Sequence, residues 1–172
     1  MMLTGCSSVA PDTQDSIQST YETTEEIHES KPGTLLITVT PDKKEYTSAD
    51  NGITWLCDGE KSGTPPIFLT LITENPISFS TESNYIGTLH NFDAGLLEDG
   101  FNYEFTRYDN GSWVKADRKT DQISDALEYR LGDGMALDYL FSIYDYEPAE
   151  GRYRLTAPFD GYDCSVEFTA VL

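Results

Sequence analysis

Basic residues are scarce in this chain. Its 172 residues hold 11 Lys and Arg against 30 Asp and Glu, which gives a formal net charge of -19. Nucleic-acid binding requires Lys and Arg clustered on one face, so this balance argues against a nucleic-acid partner. It also argues against a protein that lies flat on an anionic membrane. The acidic excess favours solubility and is compatible with a cationic partner.

Residues that build metal sites and nucleophilic sites are also few. The three cysteines and two histidines show no metal-binding spacing, and the acidic residues form no calcium-loop pattern, so we predict no metal and no cofactor. No serine-nucleophile motif and no phosphate-binding loop occur, and His90 is interpreted as an ordinary loop residue rather than a general base. We therefore expect a protein that is not an enzyme. No run of about 18 apolar residues occurs, so no transmembrane helix is predicted.

The start of the sequence contains a possible targeting signal. Leu3-Thr4-Gly5-Cys6 has the small residues and the thiol of a bacterial lipoprotein cleavage site. The charged start and apolar run that precede such a site are missing, and a chance tetrapeptide is the alternative. We expect residues 1–6 to be the remnant of a signal peptide. The lipid on Cys6 would anchor the protein in the bilayer at the extracytoplasmic face of a bacterial cell membrane.

A polar segment follows the cleavage-site pattern. Residues 7–33 are rich in Ser, Thr, Glu and Asp and contain few apolar side chains. Such a segment cannot bury enough apolar surface to offset the entropy lost on ordering, so we expect a disordered tether. Residues 34–172 then form one folded domain.

From residue 34 onward, apolar and polar residues alternate with a period of two. An Asn-Gly pair at 110–111 lies between two such runs and predicts a hairpin. The pattern predicts an all-β, antiparallel sandwich of about seven to nine strands. We expect an irregular connection at 87–100 and a helical turn within 121–130. The clearest alternating segments are residues 35–39, 53–57, 67–71, 101–105, 137–143 and 164–170.

Aromatic residues are the best binding candidates, because the chain has 11 Tyr and 2 Trp and aromatic rings are enriched at interfaces and stack on sugars. Tyr103, Tyr139 and Tyr153 lie in phase with core residues, so we assign them to the core. Four others are out of phase or in turns, and we predict them to be exposed aromatic binding residues: Tyr108, Tyr144, Tyr146 and Tyr162.

Two short motifs resemble a known family. Residues 149–155 read AEGRYRL and resemble the start of strand F in an immunoglobulin-like sandwich. Residues 110–113 read NGSW and resemble the Gly-x-Trp hairpin of a bacterial immunoglobulin-like family found in short lipoproteins of Gram-positive bacteria. The KEY at 44–46 and the LGDG at 131–134 resemble two further motifs of that family.

The resemblance covers roughly residues 34–156 and implies an immunoglobulin-like fold. It implies that Tyr153 forms the strand F corner, with its ring buried and its hydroxyl bonded back to the backbone. Residues 53–57 would be the second strand. About forty residues then separate that strand from the one at Phe101, more than the family pattern has, so residues 60–99 are read as an insertion or as a loop.

The resemblance carries a fold and a location but no catalytic residue. We expect a non-catalytic surface module that binds a surface protein or a glycan, or that serves an envelope complex as an accessory. The alternative is an inhibitor or sensor of an envelope enzyme that acts through a protruding loop at 60–99. The sequence does not name the ligand.

Two cysteines remain once Cys6 carries a lipid. Cys57 and Cys164 both lie in phase with apolar neighbours on their strands. We predict a disulfide between them across the sandwich, which would close a loop of about 107 residues (164 − 57). The alternative is that each is a small buried hydrophobic residue.

Overall fold

The computed structural model describes residues 33–73, 75–79, 85–100, 103–119, 128–141 and 143–172. Cys6 and nearly all of the predicted tether lie outside these residues. The described residues form strands and one short 3-10 turn at Ile143–Asp145. The strands are β1 (Leu35–Val39), β2 (Glu45–Ser48), β3 (Trp55–Cys57), β4 (Glu60–Ser62), β5 (Ile67–Leu71), β6 (Ile77–Ser78), β7 (Tyr85–Asn91), β8 (Leu97–Gly100), β9 (Glu104–Asp109), β10 (Ser112–Lys115), β11 (Glu128–Leu131), β12 (Ala136–Phe141), β13 (Gly151–Phe159) and β14 (Tyr162–Val171).

One large sheet contains nine of these strands. Eight follow the order β10-β9-β13-β14-β1-β2-β3-β4 and pair antiparallel, and β6 pairs with β14 in parallel. Strand β14 is ten residues long and therefore pairs with two different strands along the same edge. Its first half pairs with β1 and its end pairs with β6. Between these two neighbours, the Thr169 amide donates to Asn75 Oδ1 at 2.9 Å.

The second layer consists of the sheets β12-β7-β5 and β11-β8. The β8–β11 pair continues the β7–β12 pair in the same direction, with Leu131 opposite Leu97 and Ala136 opposite His90. The two pairs therefore form one long ribbon with a bend at 91–96 and 132–135. Strand β5 packs against β14 and β1, and β8 packs against β13.

The core lies between these layers. Strand β13 buries every second residue, from Tyr153 through Leu155 and Ala157 to Phe159. The ring of Phe105 stacks on Tyr153 with 5.0 Å between the centroids. Burying a large apolar side chain such as Phe105 contributes about 1.5–3 kcal/mol, which makes this aromatic layer a main source of stability.

The first four strands extend the large sheet around the edge of β5. Trp55 of β3 is buried and meets the ring of Phe68 edge-on at 5.3 Å. All five residues of β5 are buried, although an antiparallel sheet commonly has one face exposed to solvent.

The all-β antiparallel sandwich predicted from the alternation is confirmed, and its first strand begins at Leu35. The described residues contain fourteen strands rather than about nine, because several are pieces of two to four residues. The described part of residues 60–99 does not form a protruding loop, since β5 and β7 lie within the second layer. The end of the expected helical turn, residues 128–130, lies in β11, and residues 121–127 lie outside the described residues.

The irregular connection expected at 87–100 is wrong, because most of this range lies in β7 and β8. Gly87 lies inside β7, opposite Leu71 of β5 and Tyr139 of β12. A Cβ at this position would meet Leu69 Cδ1 at 3.1 Å and the Thr70 carbonyl oxygen at 3.4 Å. The glycine therefore permits close packing within the sheet rather than a turn.

Candidate functional site

The four tyrosines predicted to be exposed differ in their exposure to solvent. Tyr108 on β9 is 41% exposed, whereas Tyr146 is only 4% exposed, so the prediction for Tyr146 is wrong. Tyr162 is half-buried at the start of β14. The side chain of Tyr144 lies outside the described residues.

Tyr146 is buried because it closes the core beside the short 3-10 turn. Its ring meets Phe105 at 4.7 Å, and its hydroxyl accepts a hydrogen bond from Arg118 Nε at 3.2 Å. Arg118 Nη2 also donates to the Tyr103 hydroxyl at 2.7 Å. Burial raises the pKa of Tyr146 to about 12, although the bond from Arg118 acts in the opposite direction. The Tyr103–Arg118–Tyr146 cluster thus joins two chain segments at the border of the core.

Tyr108 belongs to a group of aromatic and guanidinium side chains on the outer face of the large sheet. Trp113 of β10 is opposite Tyr108 of β9, and the two rings meet edge-on at 5.2 Å. The Arg152 guanidinium carbon lies 5.2 Å from the Tyr108 centroid, and that of Arg154 lies 4.3 Å from the Trp113 centroid. We call these four residues the aromatic–guanidinium ladder.

A buried carboxylate holds the ladder in place. Glu167 of β14 is 5% exposed. Its Oε2 accepts a hydrogen bond from Arg152 Nη2 at 2.7 Å, and its Oε1 accepts bonds from Arg154 Nε at 3.1 Å and Nη2 at 2.5 Å. Such charge-assisted bonds offset the cost of removing Glu167 from water. The guanidinium planes are therefore fixed beside the two rings.

The outer face continues from the ladder onto apolar strands. Strand β1 turns Leu36 and Thr38 inward, so Leu35, Ile37 and Val39 face outward beside β14. Leu56 of β3, farther along the same face, is also exposed. We call this outward side of the large sheet, from β10 to β3, the open face.

Tyr153 has the buried ring and the hydroxyl-to-backbone bond that were predicted for it. Tyr153 is 1% exposed, and its hydroxyl donates to the Ala149 carbonyl oxygen at 2.8 Å. Burial raises the pKa of Tyr153, with an opposing effect from Arg107. This bond fixes the chain where it enters β13, the strand that carries Arg152 and Arg154.

The predicted disulfide is wrong, because both cysteines are free and lie in one sheet. Cys164 is opposite Thr38, Thr38 is opposite Tyr46, and Tyr46 is opposite Cys57. Three strand spacings separate the two cysteines by about 14 Å, whereas a disulfide requires Cα atoms within about 7 Å. Both do lie in phase with inward-facing neighbours, but the bond would have to run along a sheet rather than across the sandwich.

His90 lies in β7 rather than in a loop, which corrects the interpretation from the sequence. Its ring stacks on Phe68 at 4.7 Å, and its Nε2 lies 2.9 Å from Thr70 Oγ1. The nearby carboxylate of Asp138 accepts a hydrogen bond from the other threonine, Thr88, at 3.0 Å. These contacts brace three neighbouring strands. Among the residues that the structure describes, no cluster of His, Cys, Asp and Glu could hold a metal ion.

Comparison of this chain with family models, with curated proteins and with solved structures finds no match. No helix in the described part of the chain is long and apolar enough to cross a membrane.

Proposed function

We propose that this protein is a non-catalytic binding module and that the open face is its binding surface. The observation that carries the proposal is the aromatic–guanidinium ladder. Trp, Tyr and Arg are the residue types enriched at the energetic centres of protein interfaces. Because Glu167 fixes both arginines, the ladder would lose little side-chain entropy on binding.

The strand pairing supports an immunoglobulin-like identity. In that fold, strands A, B and E share one sheet, and strands C′, C, F and G share the other. Here β5, β7 and β12 would correspond to strands A, B and E. Strands β10, β9, β13 and β14 would correspond to C′, C, F and G. On this assignment, Tyr153 would lie near the start of strand F. The second strand of this fold would be β7 rather than residues 53–57, and β1 to β4 would be an addition beside strand G.

We infer that the protein works outside the cell on a lipid anchor. The support is the Leu3-Thr4-Gly5-Cys6 pattern and the polar composition of residues 7–33. Labelling of the full-length gene product with a lipid probe in the source organism should give a labelled protein. Label that persists in a Cys6→Ala variant would refute the anchor.

A protein surface is the ligand class that fits the open face best. The ladder is continuous with the apolar residues of β1 and with Leu56 on one sheet face, and a broad surface of this kind matches a protein better than a single sugar chain. A glycan is the second candidate because Tyr108 is exposed on this face and aromatic rings stack on sugars.

The binding surface can be tested with a photo-reactive amino acid in place of single residues. At Tyr108 the probe would lie on the open face, whereas at Val114 it would lie on the opposite side of β10 with similar exposure. In the source organism, we expect a cross-linked product from position 108 that Trp113→Ala weakens. Equal cross-linking from both positions, or none from position 108, would contradict the proposal.

A further inference from the structure

Exposed apolar side chains also lie at the bend of the ribbon that β7, β8, β11 and β12 form. Phe92 is 58% exposed, Leu96 is 63% exposed and Met135 is 53% exposed. We call these three residues the corner patch. Neighbouring loops carry them, because the Asn91 amide donates to the Met135 carbonyl oxygen at 2.9 Å and the Gly134 amide donates to the Asn91 carbonyl oxygen at 2.8 Å. Large exposed apolar side chains carried on adjoining loops are candidates for an interaction site.

A buried asparagine braces this bend. Asn91 is 1% exposed. Its Nδ2 donates to the carbonyl oxygens of Gly95 at 2.7 Å and Leu131 at 2.8 Å, and its Oδ1 accepts a bond from the Ala94 amide at 2.9 Å. The side-chain amide thus ties the 92–96 loop to the end of β11.

Two further contacts fix the same loops. The Phe92 amide donates to the Pro66 carbonyl oxygen at 2.7 Å, and the Gly95 amide donates to Asp133 Oδ1 at 2.6 Å. The patch is therefore presented on a pre-organised backbone, which reduces the entropy lost when a partner binds.

The surroundings of the corner patch are acidic. No Lys or Arg occurs between residues 62 and 106, and Asp93 and Asp133, both exposed, lie in the two loops of the bend. Arg130, the nearest basic residue on β11, is paired with Glu98 at 2.9 Å. Burial together with the negative charges of Asp160, Asp42 and Asp93 raises the pKa of Tyr162. Asp42 is paired with Lys44 at 3.1 Å, so Asp160 and Asp93 are the acids that extend the acidic zone to the start of β14.

We propose that the corner patch docks a partner protein through a segment that carries apolar side chains flanked by Lys or Arg. Apolar contacts would supply affinity, and the acidic rim would select basic flanks. The rim disfavours an anionic bilayer, and it disfavours a second copy of this chain, since the same acids would then face one another. This proposal does not depend on the role of the open face, because no residue of the corner patch belongs to the ladder.

The test uses the full chain and two synthetic peptides of equal length, one built of Leu and Lys and the other of Leu and Glu. Affinity is measured by calorimetry for the wild type, for the variant Phe92→Ser/Leu96→Ser/Met135→Ser and for the control Ile72→Ser/Leu172→Ser. The control residues are also exposed but follow the ends of β5 and β14 that lie away from the bend. Thermal melting checks that both variants fold, and backbone amide shifts of the wild type locate the peptide independently of any variant.

We expect the Leu/Lys peptide to bind with shifts confined to 92–96, 132–135 and their neighbours, and the Leu/Glu peptide not to bind. The triple variant should weaken the affinity about tenfold or more, and the control should stay within about twofold of the wild type. Failure of the Leu/Lys peptide to bind, shifts elsewhere, or equal loss in both variants would overturn the proposal. Self-association, or binding to phosphatidylglycerol vesicles, that only the triple variant abolishes would also overturn it.

Discussion

The guanidinium of Arg154 lies over the indole of Trp113, with 4.3 Å between Cζ and the ring centroid. The same guanidinium binds the buried carboxylate of Glu167. A cation held against an aromatic face is attracted by the ring quadrupole, and the carboxylate keeps it there. Strands β10, β13 and β14 each supply one member, with β9 between the first two, so the arrangement exists only when these four strands are in register.

Replacement of Glu167 by Gln should destabilise the fold by about 2 kcal/mol, because two charge-assisted pairs lose their carboxylate. Urea denaturation monitored by circular dichroism measures the change. Glu104→Gln is the matched control, since Glu104 is exposed on β9 of the same sheet, and we expect its midpoint to stay near the wild-type value. A Glu167→Gln protein as stable as the control would mean that Glu167 does not hold the ladder.

Loss of the Tyr153 hydroxyl should cost about 1 kcal/mol, because the bond to the Ala149 carbonyl oxygen is removed while the ring stays. Tyr153→Ala should cost about 3–5 kcal/mol, since it also empties a buried site. Denaturation midpoints distinguish the two losses. Tyr108→Phe on the exposed surface serves as the control, and an unchanged midpoint in Tyr153→Phe would argue against the corner.

Gly87→Ala should destabilise by about 1–3 kcal/mol, because the added Cβ would press against Leu69 and the Thr70 carbonyl oxygen. Gly63→Ala is the control, since nothing lies within 4 Å of the corresponding Cβ and the loss of backbone freedom in the unfolded chain is expected to leave stability unchanged or slightly raised. Thermal unfolding of the two variants gives the comparison. Equal melting temperatures would show that β5 and β7 are not packed as described.

A Cys6→Ser variant should contain two free thiols. In the native state, a thiol reagent at neutral pH should modify half-buried Cys57 and spare Cys164, which is fully buried. In denaturant without reductant, both should react. Fewer than two reactive thiols in denaturant would mean that the two cysteines form a disulfide. Rapid modification of both thiols in the native state would contradict the burial of Cys164.

The buried thiol of Cys164 should make the fold less stable at alkaline pH. Burial raises the pKa of Cys164 to about 12 from its ordinary 9.0, so the unfolded chain releases this proton at lower pH than the folded chain. The stabilisation is complete below pH 9 and is lost as pH rises from 9 towards 12. Cys164→Ala should flatten this part of a plot of unfolding free energy against pH, and an unchanged slope would count against the raised pKa.

The sequence by itself determined the features that depend on neighbours along the chain. Alternation with a period of two places residues on one face or the other of a strand, and it predicted the inward positions of Tyr153 and Cys164. The AEGRYRL segment contains both partners of the Tyr153 bond within five residues, so a local motif was enough to predict that geometry.

Only the tertiary structure decided which strands are neighbours. Alternation assigns a face but not a partner strand, which is why Cys57 and Cys164 could be placed in phase and still be expected on opposite sheets. The buried position of Tyr146 depends on Arg118 and Phe105, both distant in sequence. The packing role of Gly87 depends on β5, and the ladder depends on the register of four strands, because each contact joins residues that only long-range pairing brings together.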